Sequence, residues 1–281
     1  MSAFADITVT ATNGSGRSGR VTNAIAMASR RTGVDFGYLL GQAKIESGLN
    51  PSARASTSSA TGLYQFVDQS WLAVVNDHGA EYGLDWASDA ISKGSNGRYY
   101  VSDPELRQQI MDLRKHPETA SVMAAEHASD NKAYLEKRLG REAEPADLYM
   151  AHFLGVGGAA KFLAANDSTP DASAASLFPA AARANRSIFF DRQGNARSFA
   201  DIRASFAAKL DKSTQGASVQ YADVPIPSDW SLPAGSKAVQ PADYVRIETQ
   251  RLASQVSAAD THKPQPETAR LAYLMLATFG R

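Results

Sequence analysis

Cysteine is absent from the 281 residues, which excludes disulfides, thiolate nucleophiles and cysteine-ligated zinc. An excess of charge of either sign is missing too. Lys+Arg and Asp+Glu balance at 29 each, and no basic run offers itself to nucleic acid or to an anionic lipid surface. Long apolar stretches are also lacking: the run at residues 271–279 is far shorter than the ~20 residues a bilayer-spanning helix needs. Residues 1–20 are polar, rich in Ser, Thr and Gly, and contain no apolar core of a secretory signal. The five histidines, His78, His116, His127, His152 and His262, show no H-E-x-x-H or other ligand spacing. Neither a metal nor a cofactor is therefore expected. What is present, 43% hydrophobic and 21% charged residues, is enough for one substantial core with appendages.

Against this plain background one segment stands out. Asp35 can cap a helix starting near Phe36, and Leu39, Ala43 and Glu46 then share one face of it. Gly48 and Pro51 end that helix, so Glu46 sits at its negative end and at the end of an apolar stripe. Both effects favour the protonated acid and predict a titration above the ordinary ~4.3 of glutamate, as a general acid working near neutrality needs. A glutamate at a helix end is ordinarily a solvated surface residue. Here it is followed by residues 56–65, small, polar and glycine residues leading into Leu63, Tyr64, Gln65 and Phe66, which read as a loop entering a short helix and as a wall able to grip a sugar.

The pattern Glu46-Ser47-Gly48-Leu49-Asn50-Pro51, then Ser56 through Ala60, Gly62, Leu63, Tyr64, Gln65 and Phe66, resembles the lytic transglycosylase domain of the soluble (family 1) type in the lysozyme-like superfamily. Leu148-Tyr149-Met150-Ala151-His152-Phe153-Leu154-Gly155 resembles that family's A-Y-N-A-G helix, with Tyr149 at its tyrosine position. The three motifs cover roughly residues 36–165. The resemblance implies that Glu46 is the catalytic acid and that Ser47 assists near the reaction centre. It also implies that Ser56, Gly62, Leu63, Tyr64, Gln65, Phe66, Tyr149 and His152 bind substrate. Tyr64 stands where Met is usual, and His152 departs from the family pattern. Tyr149 and His152 lie three residues apart, so a helix would put both on one face.

Periodicity predicts a mostly α protein: a lysozyme-like helical domain over residues 21–212, after a flexible segment at 1–20. Helices are expected at 21–31, 36–47, 69–82, 103–113, 117–139, from Pro145 to Gly155, 159–165 and 199–210, with a loop or short hairpin over 85–103. Proline and serine then mark 213–243 as a linker. Residues 244–281 read as two short helices, either docked on the catalytic domain or free to bind a partner.

The mechanism the resemblance implies needs one carboxylate. Glu46 protonates the β-1,4 glycosidic oxygen between N-acetylmuramic acid and N-acetylglucosamine, then deprotonates the muramoyl C6 hydroxyl, whose internal attack gives a 1,6-anhydro end. Hydrolysis would ordinarily use two carboxylates, and a goose-type muramidase reading would recruit Asp68, Asp85, Asp89 or Asp103 as the second. A non-catalytic wall-binding or assembly module is the third reading. The implied partner is the peptidoglycan glycan strand, with the tail available to a wall-spanning flagellar or secretion machine. The implied location is the periplasm or cell wall; no leader is evident in this chain, and either a signal already removed or another export machine would carry the protein out.

Overall fold

The computed structural model describes residues 15–214 apart from residue 57, with side chains from residue 19 onward. All but the first two residues of the expected linker at 213–243, and the two expected C-terminal helices, lie outside the described residues. The chain folds as α1 (Ser15–Thr32), α2 (Phe36–Ser47), α3 (Asp68–His78), α4 (Asp85–Ser88), β1 (Ser92–Lys93), β2 (Tyr99–Tyr100), α5 (Pro104–Asp112) and α6 (Pro117–Leu139). Then come α7 (Pro145–Leu154), α8 (Val156–Ser168), α9 (Ala174–Leu177), α10 (Pro179–Ala184), α11 (Arg186–Phe189) and α12 (Phe199–Thr214). The protein is mostly helical, as its periodicity predicts. β1 and β2 pair antiparallel, Ser92 opposite Tyr100, in the expected short hairpin.

Local chemistry sets the helix ends. The Asp35 carboxylate accepts from the Tyr38 amide at 2.7 Å, satisfying one of the donors that a helix start leaves unpaired. Gly48, at φ 61°, closes α2 in the left-handed conformation and donates back to Lys44 O. Asp103 and the following Pro104 start α5 in the same way, with the Asp103 carboxylate accepting from the Glu105 and Leu106 amides.

α1 packs on α6, α7 on α8, and α12 against α2 and α7. The centre is filled by Ile25, Leu39, Leu40, Leu63, Trp71, Leu72, Ile110 and Met123, each 2% exposed or less, side chains whose burial contributes about 1.5–3 kcal/mol apiece. Trp71 keeps its one polar atom satisfied by donating Nε1–H to Ile110 O at 2.7 Å.

Four expectations need correction. Residues 15–20 are the first turns of α1, not part of a flexible lead-in, and Arg20 sends Nε and Nη2 to the two carboxylate oxygens of Glu118 on α6 at 2.6 and 2.9 Å. The expected helix at 69–82 breaks after His78 into a 3₁₀ turn, Gly79–Tyr82, because Leu84 N reaches back to Gly79 O. The segment before α3 is a chain of turns and isolated bridges rather than a short helix. α12 also runs two residues past the expected boundary at 212. Glycine at position 41 of α2 admits it: a Cβ there would lie 2.8 Å from Ser213 Oγ and 3.2 Å from a Leu210 methyl. The Lys44 ammonium donates to Ser213 O at 2.7 Å.

Candidate active site

Glu46 ends α2 with its side chain 19% exposed. Two groups from α7 converge on one of its oxygens: the Tyr149 hydroxyl donates to Oε1 at 3.1 Å, and His152 Nε2 lies 3.3 Å from the same atom. Spacing by three puts the two rings on one face of α7, stacked with centroids 6.0 Å apart. Among the described residues nothing is bonded to Oε2. A half-buried carboxylate thus has one oxygen held and the other free to meet a ligand.

α7 is itself anchored by a buried ion pair network. Asp147, with a fully buried side chain, accepts from Arg141 Nη1 at 2.7 Å and from Arg203 Nε of α12 at 2.8 Å. Its carboxylate also accepts from the Glu144 amide, completing a capping box at the start of α7. Phe206 of α12 packs edge-on to Tyr149 at 5.2 Å and to Phe153 at 5.5 Å. The orientation of Tyr149 and His152 is therefore fixed by a helix pinned at its start and backed along its length.

The loop facing α2 is built around glycine 62. At φ +88° it occupies a region that disfavours side chains, and a Cβ there would stand 2.0 Å from the Arg114 carbonyl oxygen. Arg114, itself buried, donates from Nη1 to Ser59 O and Phe66 O at 2.9 and 3.0 Å and to Asp68 at 3.0 Å. Gln65 adopts φ 49° and sends its amide Nε2 to the carbonyls of Gly62 and Ala53 at 2.9 and 3.2 Å. Ser47 ties the loop to α2, its hydroxyl lying 2.8 Å from Leu63 O and 3.1 Å from Ala43 O.

The residues expected to bind substrate thus divide by position. Tyr149 and His152 reach Glu46 directly. Ser47 and Gln65 have their donors on backbone carbonyls, so they shape the wall, and Gln65 Oε1 is the atom left to meet a ligand. Leu63, Tyr64 and Phe66 are buried to 5% exposure or less, in the core behind the loop. Ser56 is exposed in a bend. The Tyr64 hydroxyl and the Ser121 hydroxyl of α6 are both buried without a well-formed hydrogen bond. Burial pushes the Tyr64 phenol up, with the nearby Ser121 hydroxyl opposing.

The electrostatics differ from the expectation that Glu46 titrates high. Burial does push it up, but hydrogen bonding and charge from His152, the Tyr149 hydroxyl and the charge of Lys209 outweigh burial and hold it below the ordinary carboxylate value. None of these groups is a second carboxylate. The partners that set this value arrive on α7 and α12, far in sequence from the end of α2. Tyr149 responds oppositely: burial first, then the negative Glu46 beside it, push its phenol up, which keeps it a hydrogen-bond donor.

Two further groups belong to the site that motif reading passed over. Lys209 of α12 lies with Nζ 5.7 Å from the centre of the Tyr149 ring. Tyr38 is buried and feels Tyr64, Tyr149 and Glu46. Tyr38, Gln42 and Glu46 recur every four residues on α2, a spacing that could have found Tyr38. Nothing in the sequence near Lys209 announces it.

No protein-family model matches the chain.

Proposed function

We propose that the protein is a peptidoglycan lytic transglycosylase with a lysozyme-like catalytic domain, cleaving the β-1,4 bond between N-acetylmuramic acid and N-acetylglucosamine. The observation that carries this reading is the asymmetry of Glu46: Oε1 is held by Tyr149 and His152, and Oε2 is free. Oε2 is the atom that would give its proton to the glycosidic oxygen, releasing the N-acetylglucosamine side as an alcohol. The ionised Glu46 then takes the proton of the muramoyl C6 hydroxyl as that oxygen attacks C1, closing the 1,6-anhydro ring. Protons balance over the cycle, and no water is consumed.

The low titration of Glu46 fits this scheme when the glycan is bound. A sugar over the carboxylate removes the remaining water, which strengthens the burial effect and favours the protonated acid. The intramolecular nucleophile supplies the proximity that lets one carboxylate suffice.

Two of the four aspartates that a two-carboxylate hydrolase could recruit already have structural partners. Asp68 pairs with Arg107 and Arg114, and Asp103 caps α5. No helix among the described residues is long and apolar enough to cross a membrane. On this reading the protein works in the periplasm or cell wall, and residues 244–281 are the segment that would engage a wall-spanning machine.

Turnover of purified sacculi by Glu46→Gln tests the assignment. A loss of at least ~10²-fold is expected from removing general acid catalysis, with sacculus binding retained. Wild-type turnover in this variant would overturn it.

A further inference from the structure

We propose that His78, Glu81 and Glu126 form a binding site for a divalent transition-metal ion that ties the end of α3 to α6. His78 Nδ1 lies 3.4 Å from Glu81 Oε1 and 3.8 Å from Glu126 Oε2, and the three ligand atoms all fall within 4.8 Å of one another. Such separations serve hydrogen bonding poorly, and Nδ1 is buried with no hydrogen-bond partner. Ligands about 2.0–2.2 Å from a tetrahedral centre stand roughly 3.3–3.6 Å apart, so the His78–Glu81 pair fits as it stands and the Glu126 carboxylate would close in by a few tenths of an ångström on an ion.

The surroundings orient each ligand. His78 Nε2 is 2.8 Å from Asp130 Oδ2; with Nε2–H donating to that carboxylate, the neutral ring would present its Nδ1 lone pair to an ion, as outer carboxylates arrange for metal-bound histidines. The Tyr82 hydroxyl donates to Glu126 Oε1, leaving Oε2 to face His78. A divalent cation here would offset the charges of the Glu81 and Glu126 carboxylates. The nearby Arg31 guanidinium instead stacks 4.3 Å from the Tyr82 ring centre and donates to the Glu81 main-chain carbonyl. One imidazole with two carboxylates is a zinc-type donor set, and the exposed Glu81 side leaves a position for water. Linear spacing shows only His78 and Glu81, because the third ligand arrives from α6.

The test is titration of the full chain, stripped with chelator, with ZnCl₂ by calorimetry and thermal melting. Binding of one ion per chain is expected, with a melting temperature about 5–10 °C higher at a hundredfold excess over Kd. Glu126→Gln should abolish the effect, and Glu81→Ala, at an exposed position that the fold does not need, should weaken binding at least about tenfold. His152→Asn, which removes the imidazole beside Glu46, should leave the titration unchanged. Absence of zinc binding by the wild-type chain, binding that survives both Glu126→Gln and Glu81→Ala, or tighter binding of Ca²⁺ than of Zn²⁺ would each overturn the proposal.

Discussion

Replacing glycine 62 by alanine should damage the site more than any other single methyl added to this loop. The new Cβ would stand 2.0 Å from the Arg114 carbonyl oxygen and 2.8 Å from its carbon, both backbone atoms that no rotamer change can remove. Backbone strain at φ +88° alone costs about 1–2 kcal/mol. Relief of the clash requires the loop or the Arg114 segment to move by roughly an ångström. That strains the Gly62 N to Ala53 O bond, the Gln65 amide bond to Gly62 O and the Arg114 bonds to Ser59 O and Phe66 O. At about 0.5–1.5 kcal/mol for each of these four bonds weakened, the total destabilisation, strain included, is about 3–8 kcal/mol. Gly48→Ala supplies the control, because that position has φ +61° but nothing within 4 Å of the added Cβ, so it should cost only the backbone strain. Denaturant titration of the two variants beside the wild type separates the terms. The same displacement moves Leu63 O away from the Ser47 hydroxyl, so activity should fall in Gly62→Ala under conditions where it is still folded. Equal stability losses in the two variants would mean that the Arg114 backbone does not oppose a side chain at position 62.

The buried carboxylate of Asp147 bridges Arg141 and Arg203, so Asp147→Asn should cost about 3–5 kcal/mol, read as a lowered denaturation midpoint; a loss under 1 kcal/mol would contradict it. Tyr149→Phe removes the donor on Glu46 Oε1, and a loss of about 1–3 kcal/mol should appear as at least a several-fold lower kcat on sacculi with the fold intact. The pH dependence has a definite sign. Because Glu46 is held below its ordinary value of 4.5, its interactions contribute stability above that pH and lose it as pH falls through the folded value. The melting temperature of wild type minus that of Glu46→Gln should therefore shrink below about pH 4.5; a difference that grows on acidification would contradict the arrangement around Glu46.

Much of the frame was legible because it rests on local signals. Asp35, Gly48, Asp103, Pro117 and Pro145 sit at helix ends where capping and backbone freedom act within a turn, and α6 covers the residues its periodicity predicts. The site was legible in part for the same reason, since Tyr149 and His152 share a face by spacing alone. Other features depended on distant partners. The titration of Glu46 is set by α7 and by Lys209 of α12, which no pattern around residue 46 contains. The inward burial of Leu63 and Tyr64 follows from the Arg114 backbone pressed against glycine 62. The extension of α12 to Thr214 depends on the gap left by Gly41, and the junction of His78 and Glu81 with Glu126 on how α6 packs against α3.

Mass analysis of the muropeptides released from purified peptidoglycan by the wild-type chain distinguishes a transglycosylase from a hydrolase. A single carboxylate acting first as acid and then as base predicts products ending in 1,6-anhydro-muramic acid, one water lighter than hydrolytic products and inert to borohydride. Reducible ends carrying the added water would contradict it.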